Sequence, residues 1–493
     1  MNLKDDPHAQ QGFCEAVRLR ALMPVEARSS IATCLVALAL ALAGCAPAPA
    51  AVAPSSAPEF DPLSATTPTQ SYALANGLRV VLNEDRRAPV LVVRVVYRVG
   101  WRDDPAGHRG LAHLVEHLMF HGSKHVKNLR HFEELERAGG TSIGATTGAD
   151  YTNYWEQLPS DELALPLWLE SDRMESGLST LTDADLDRER HILAREYSEN
   201  VENAGYGRVA AFTEAQLFPS GHAYHIDADK GEQLGEVTLA EAREFHRNYY
   251  GPNNAVLVLS GSFDSARAKA AVEHYFGRIA SRPLTTPSVE PSSSGEPAPP
   301  SSSKLLVEAN VLHPRVTLSW RTPALYQPGD AELDVIARHL NVELFIQRAA
   351  DAPFRSGARA DQASRHLASV FSVSADLPSG TDASRFIGLV EGKLSDIAQR
   401  GLDSFAVTGA AYTMLFQYCL EHDALLSRSQ QLASSVSLLG DSKFLDHQST
   451  RYRTLTGAAV QKVAAQYLKP ELRVLTLVSP VRNAPIAGRL VVR

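Results

Sequence analysis

The 493-residue sequence has few cysteines, no excess of basic residues and no long apolar run. It contains 4 cysteines, and 48 Lys and Arg against 56 Asp and Glu, for a net charge of -8. Because Lys and Arg are not in excess, nucleic-acid binding is not expected. The apolar run at residues 31–43 is too short to predict a membrane span. With 44% hydrophobic and 21% charged residues, the chain is expected to be globular and to form two or more domains.

Residues 1–45 are predicted to be a lipoprotein-type signal peptide. The apolar core at 31–43 is followed by Leu42-Ala-Gly-Cys45, which is similar to the bacterial lipoprotein box, in which the cysteine is lipidated. An ordinary cleaved signal and a buried helix are the alternatives. Residues 1–22 fit a signal poorly, so Met23 is a plausible true start and Met1 the alternative. We expect lipidation of Cys45 and anchoring in a bacterial cell envelope, at the periplasmic face of the outer membrane in a Gram-negative source.

Signal processing would leave a single cysteine. Cys14 and Cys34 would be removed and Cys45 acylated, so Cys419 alone would remain. Neither a structural disulfide nor a cysteine zinc site is therefore expected. Residues 46–69 are rich in Ala, Pro, Ser and Thr, a composition typical of a flexible tether.

A histidine and glutamate motif lies in a stretch, residues 111–120, that contains neither Pro nor Gly. Apolar residues recur there at helical spacing, which predicts a helix with His113, Glu116 and His117 on one face. Two imidazoles one turn apart can bind one zinc ion, and a carboxylate between them can reach a water on that ion. The order H-x-x-E-H is that of the inverzincins. The alternative is an amphipathic helix with solvated histidines, but unpaired ionisable groups would be costly among so many apolar neighbours.

A third zinc ligand is expected elsewhere, because catalytic zinc usually takes three protein ligands and leaves one position for water. Residues 182–197 predict a second helix, with capping residues and acidic side chains in its first turns. Glu189 and Glu196 are seven residues apart, two helical turns, and so lie on the same side. One can bind zinc while the other supports a ligand.

Several further stretches carry a family resemblance. The glycine pair Gly139-Gly140 precedes a D-x-T-x-Y run that ends at Tyr154. With H-x-x-E-H, these stretches resemble the pitrilysin/insulysin family of zinc peptidases, which includes the mitochondrial processing peptidases. The resemblance covers roughly residues 70–280. The other similar stretches are Tyr154–Pro159, Leu169–Met174 and Phe245–Gly261.

The resemblance implies a set of roles for individual residues. Glu196 would be the third ligand of one Zn²⁺ per chain, and Glu189 the supporting carboxylate. Gly144 and Ala145 match an edge segment that aligns substrate, although the family usually has Asn where Gly144 stands. Arg348 matches a substrate-holding Arg, whereas Arg355 stands where the family has Tyr.

The implied fold is α+β, with two similar halves that each pack a mainly antiparallel sheet against helices. We predict a catalytic domain at 70–282, a disordered linker at 283–303 and a second domain without zinc at 304–493. The linker is rich in Pro and Ser. Since the family builds a four-domain clam shell, this chain is expected to form a homodimer, or a heterodimer with a related subunit that lacks zinc.

The predicted function is that of a zinc metalloendopeptidase acting on peptides or unfolded polypeptide segments. Zinc would lower the pKa of its water towards roughly 7, and Glu116 would act as general base and then general acid. The alternative is a zinc-binding subunit of a peptidase complex with weak or no activity. Glu116 argues against this, because zinc binding alone would not require it. A purely structural lipoprotein would leave all the site residues unexplained.

Overall fold

The structure, a computed structural model, describes residues 67–127, 129–228, 230–283, 303–348, 354 and 356–491. Four features predicted from the sequence lie outside these ranges: Cys45 with its signal peptide, most of the tether, residues 284–302 of the linker, and Arg355. Arg348 ends a helix, but its side chain is also outside the described part. Among the helices in the described ranges, none combines the length and apolarity needed to cross a bilayer.

The first half contains a six-stranded sheet in the order β1-β2-β6-β3-β5-β4. Strands β2 and β6 run parallel, and the other neighbours are antiparallel. The strands are β1 (Thr69–Ala73), β2 (Arg79–Glu84), β3 (Val90–Tyr97), β4 (Ser142–Thr147), β5 (Thr152–Pro159) and β6 (Ala255–Gly261). The helices are α1 (Leu111–His121), α2 (Arg130–Arg137), α3 (Ala164–Ser176), α4 (Asp183–Tyr197), α5 (Val209–Leu217), α6 (Leu239–Tyr249) and α7 (Ser265–Phe276).

The second half contains another six-stranded sheet, in the order β12-β7-β11-β8-β10-β9. Here β7 and β11 are the parallel pair. The strands are β7 (Ser303–Ala309), β8 (Arg315–Thr322), β9 (Ser356–Ala363), β10 (Ser369–Asp376), β11 (Val474–Pro480) and β12 (Arg489–Val491). The helices are α8 (Asp330–Arg348), α9 (Ala383–Arg400), α10 (Ser404–Asp423), α11 (Leu425–Leu439), α12 (Phe444–Arg453) and α13 (Gly457–Tyr467).

The two sheets share one topology. Strands β2, β6, β3, β5 and β4 correspond in order and direction to β7, β11, β8, β10 and β9. Only the outermost strand differs, because β1 comes from the start of its half and β12 from the end. The predicted fold class, α+β with two similar and mainly antiparallel halves, is confirmed.

Local sequence explains how the first sheet leads to the predicted site. Gly77 adopts a φ of 89° in the turn between β1 and β2, as the Asn76-Gly77 pair predicts. Residues 91–97 of β3 are all buried, as expected for a strand with apolar residues on both faces. After β3, residues 98–110 lead into α1, which packs its leucines on one face of the sheet.

The two halves exchange helices across their sheets. Helix α11 of the second half covers the face of the first sheet opposite α1, where Leu432 and Val436 pack against Val81, Val96 and Val258. Helix α5 of the first half packs in turn on the second sheet. Polar contacts reinforce the exchange: Arg94 Nε donates to Ser429 Oγ at 2.9 Å.

The buried His246 on α6 makes stability depend on pH. Burial, followed by the charge of Arg282, lowers the pKa of His246 to about 3, so the folded protein keeps it neutral while the unfolded chain binds a proton below its usual 6.5. Stability is therefore full above pH 6.5 and falls as the pH drops towards 3. Between pH 7 and pH 5 we expect this histidine to cost about 2 kcal/mol in the free energy of unfolding.

Urea unfolding at pH 7 and pH 5 tests this expectation. His246→Gln, which cannot titrate, should lose about 2 kcal/mol less than the wild type between the two pH values, whatever its stability at pH 7. Equal losses for the two proteins would contradict the prediction.

Candidate metal site

Helix α1 is fixed at its N-terminus by a carboxylate from the preceding loop. Asp104 accepts hydrogen bonds from the backbone N–H groups of Gly110, at 2.7 Å, and Ala112, at 2.8 Å. Burial raises the pKa of Asp104 to about 7, although these two hydrogen bonds act to lower it. The start of the helix therefore has its free N–H groups satisfied, which holds the next turn, with His113, in place.

The structure brings His113, His117 and Glu196 together. Within the described residues, one ligand atom from each lies within 4.8 Å of the others. The rings of His113 and His117 are perpendicular, with centroids 4.9 Å apart. Glu196, in the last turn of α4, places Oε2 3.8 Å from His117 Nε2. Two imidazoles and one carboxylate are a usual donor set for catalytic zinc, so the residues fit this metal.

Glu189 lies behind the three ligand atoms and is 3% exposed. Its carboxylate accepts from His117 Nδ1 at 2.9 Å and from His121 Nε2 at 2.6 Å. Although burial opposes it, hydrogen bonding to the two histidines lowers the pKa of Glu189 to about 2. Burial likewise opposes protonation of His117, but the hydrogen bond to Glu189 and the neighbouring carboxylates raise its pKa to about 9. Because Nδ1 of His117 is held by Glu189, Nε2 is the nitrogen directed towards Glu196.

Glu116 is 7% exposed and is held by one hydroxyl group. Thr147, at the end of β4, donates from Oγ1 to Glu116 Oε2 at 2.5 Å. The second carboxylate oxygen stays available for another partner, such as a water molecule. Thr147 is not among the residues predicted from the sequence, where its position shortly after the glycine pair is the one signal that points to it.

Glu232 is a second residue that the sequence analysis missed. Its Oε1 lies 3.4 Å from His113 Nδ1, and its Oε2 is buried without a hydrogen-bond partner. Both histidines of the motif therefore have a carboxylate at Nδ1, Glu189 for His117 and Glu232 for His113. Glu232 belongs to a loop far along the chain, and no pattern in the sequence pointed to it.

The predicted substrate-aligning residues lie on β4, which forms one edge of the first sheet. Gly144 pairs with Trp155 of β5, and Ala145 packs against the core beneath α1. A Cβ atom at Gly144 would lie 2.6 Å from Trp155 Cζ2. The tryptophan ring therefore occupies the space that a larger residue, such as the family Asn, would need.

A second cluster of possible ligands, His131, Glu156 and Glu170, is fully buried in the first half. The guanidinium of Arg173 lies inside it, paired with Glu170 and 3.5 Å from Glu156. Because a cation is already supplied by this side chain, the cluster is a buried ion-pair network.

Two further predicted residues have side chains that the structure does not describe. Arg348 ends α8 in the second half, and Cys45 lies outside the described residues. Of the other nearby histidines, His121 supports Glu189, whereas His125 pairs with Asp172 at 2.6 Å.

Comparisons with known proteins agree with this architecture. A model of the insulinase family, peptidase family M16, matches residues 79–217, and a model of the peptidase M16 inactive domain matches residues 236–411. The zinc protease PqqE of Helicobacter pylori is 27% identical over 279 residues, 55% of this chain and 60% of that protein. The mitochondrial-processing peptidase subunit beta of Blastocladiella emersonii is 28% identical over 211 residues, 43% of this chain and 44% of that protein.

Solved structures share the fold. A protease from Helicobacter pylori superposes with a TM-score of 0.75 at 21% identity, over 84% of this chain and 100% of that one. The periplasmic protease PqqL from Escherichia coli gives 0.70 at 18% identity, over 84% of this chain but 48% of that one.

The chain thus combines two α+β halves of one topology with a helix in the first half that carries the order H-x-x-E-H. The chain belongs to the insulinase family, peptidase family M16. Its matches span 60% of the length of PqqE and 44% of that of the Blastocladiella subunit.

Proposed function

We propose that this protein is a zinc metalloendopeptidase that hydrolyses peptides or unfolded polypeptide segments. The observation that carries the proposal is the placement of Glu116, buried beside two histidines and oriented by Thr147. A site that only bound zinc would need His113, His117 and Glu196, and Glu116 would have no purpose there.

His113, His117 and Glu196 would hold the metal, which when bound supplies a Lewis acid and lowers the pKa of a water molecule to about 7. Glu116 would take a proton from the attacking water and deliver it to the nitrogen of the leaving amine. Thr147 keeps the carboxylate turned towards the histidines. Glu189 and Glu232 fix the rotation of the two imidazole rings.

The position of β4 at the edge of the first sheet favours an extended peptide as the substrate. An edge strand offers unpaired backbone groups to which a peptide can add as a further strand. Because Thr147 on this strand touches Glu116, a peptide paired alongside Gly144 and Ala145 would run past the site. Arg348 would contact the peptide from the second half.

We further propose the chain organisation and setting that the sequence predicts. Residues 70–282 would form the catalytic domain and residues 304–493 the second, joined by the linker at 283–303. Lipidated Cys45 would anchor the protein in the cell envelope through the tether at 46–69. A second chain, either another copy or a zinc-less relative, would complete the peptidase, since PqqL carries about twice the matched length in one chain.

Hydrolysis of a mixed peptide library by the purified protein, followed by mass spectrometry with bound zinc measured in parallel, tests the proposal. Cleavage should stop when a chelator removes the metal and return when zinc is restored. One zinc per chain without cleavage, both by the protein alone and after addition of the partner recovered by pull-down from the native envelope, would overturn it in favour of the non-catalytic subunit.

Replacement of Glu232 should weaken zinc binding without abolishing it. Glu232→Gln leaves His113 without its charged partner, and loss of such a carboxylate typically lowers metal affinity 10- to 100-fold, as a rough range. Glu189→Gln should cost more, because Glu189 is closer to its histidine, 2.9 Å against 3.4 Å, and binds two of them. Competition with a chelating dye gives the affinities.

The matched control is Glu236→Gln, an exposed carboxylate in the same loop. It should bind zinc like the wild type. Wild-type affinity in Glu232→Gln would show that Glu232 does not support His113.

A further inference from the structure

Helix α10 is apolar on both of its sides. Residues 404–420 contain no charged side chain. Val407, Ala411 and Leu415 are buried in the core of the second half. The outer side, here called the α10 face, nevertheless consists largely of exposed apolar side chains: Phe405 at 83%, Tyr412 at 55%, Phe416 at 57% and Leu420 at 54% exposure.

The spacing of these four residues places them in one stripe. Steps of seven, four and four residues return to the same side of a helix. A helix that is hydrophobic all round is normally covered on all sides. Within the described part of the chain, the α10 face is left uncovered.

The neighbouring helix α8 enlarges the exposed apolar surface. Val342, Phe345 and Ile346, near its end, are each more than half exposed. Helix α8 packs against α10. With typical side-chain areas, the seven residues expose roughly 700 Å², more than the largest patch on most monomers and close to the roughly 800 Å² that each partner buries in a standard interface.

The first half shows that the fold does not require an apolar surface here. Helix α4 holds the position in the first half that α10 holds in the second, two helices after the hairpin of edge strands. Its outward residues include exposed charged side chains such as Asp187, Arg188 and Arg195. The apolar face is therefore particular to α10.

We propose that the α10 face is the interface through which two copies of this chain associate. A two-fold interface brings the same residues of both copies together, so like charges on it would repel. The stretch from 404 to 420 contains none. Gly409 lies within the stripe, and its Cβ position has no atom within 4 Å, which leaves room for an aromatic side chain of the partner. This proposal identifies the second chain of the peptidase as another copy, and to that extent it rests on the proposed function.

Analytical ultracentrifugation of the purified protein tests the interface. The wild type should sediment as a dimer at micromolar concentration. Phe416→Glu should raise the dissociation constant roughly 100-fold, because each copy would bury an unpaired carboxylate in the interface. The matched control is Leu312→Glu, an 85% exposed leucine between β7 and β8, which should change it less than threefold. A monomeric wild type at 50 µM, or unchanged association of Phe416→Glu, would overturn the proposal.

Site-specific crosslinking provides a second, positive measurement. Thr413 lies halfway along α10 and borders the stripe, so Thr413→Cys in a Cys419→Ser background should form a disulfide-linked dimer on oxidation. Ser395→Cys on the exposed side of α9 should not. Flotation of a monomeric wild type with phosphatidylcholine and phosphatidylglycerol vesicles that is lost in Phe416→Glu, a variant that keeps Cys45, would assign the face to lipid instead and overturn the proposal.

The same experiments separate this interface from the proposed catalytic function. Association is measured without substrate, so Glu116→Gln protein should dimerise like the wild type. If the protein is not a peptidase, its dimerisation should still be observed. If the protein does not dimerise through α10, the peptide-library assay still tests the proposed hydrolysis.

Discussion

Glu116→Gln is expected to abolish peptide hydrolysis while zinc stays bound. The amide has the shape of the carboxylate and can still accept the hydrogen bond from Thr147, but it cannot take a proton from water. General base catalysis contributes roughly 10²- to 10⁴-fold, so the rate should fall by about that factor. Because Glu116 is not among the ligand atoms grouped around His113, the metal should be retained.

The measurement is single-turnover cleavage of a peptide taken from the library, with zinc determined in the same samples. Thr147→Val is the informative comparison. It leaves the carboxylate chemically intact but unoriented, so it should retain more activity than Glu116→Gln. Full activity in Glu116→Gln would remove this residue from the mechanism, and loss of zinc would indicate a role in binding the metal.

Arg428→Met is expected to destabilise the protein by about 3 kcal/mol. Arg428, on α11, is 2% exposed and donates to Asp85 Oδ2 at 2.6 Å, across the boundary between the halves. Removing one member of a buried ion pair leaves the other charge uncompensated, which typically costs about 3–5 kcal/mol. We expect the lower end of this range because Arg87 also binds Asp85 and would still compensate part of its charge. The hydrogen bond from Arg87 holds the pKa of the Asp85 carboxyl well below its usual value, although burial acts to raise it.

Urea unfolding measures the loss, and two further variants make it specific. Arg400→Met removes a pair with Asp396 in which both side chains are mostly exposed, and it should change stability by less than about 1 kcal/mol. Adding Asp85→Asn to Arg428→Met should recover part of the loss, since the stranded charge is then gone. A cost for Arg428→Met no larger than that for Arg400→Met would contradict the importance of this contact.

The sequence predicts the fold and the centre of the site for reasons that are local. The period of apolar residues in α1 places His113, Glu116 and His117 on one face, and the apolar run of β3 indicates a strand covered on both sides. The two-turn spacing of Glu189 and Glu196 indicates that they act together. Resemblance to the family then predicts that Glu196 of α4 binds the same metal as the histidines of α1, which the spacing of residues alone does not predict.

The other features depend on distances that no local pattern encodes. Glu232 reaches His113 from a loop more than a hundred residues away, and Thr147 reaches Glu116 through the register of β4. The sequence shows that β3 needs cover on its second face, but not that α11 of the other half provides it. The apolar outer side of α10 also escaped the sequence analysis, since apolar residues on a helix are ordinarily taken for core.

The exchange of α5 and α11 has a consequence for how the protein is made. The first sheet is complete once β6 has been synthesised, at Gly261, yet the face that includes Val81, Val96 and Val258 has no cover until Leu425–Leu439 arrives. During synthesis the unfinished molecule would therefore expose one face of the first β-sheet, a surface prone to aggregation. Chaperones that protect exposed strands would be needed over this interval, and a nascent chain released before α11 would be a substrate for quality-control proteases.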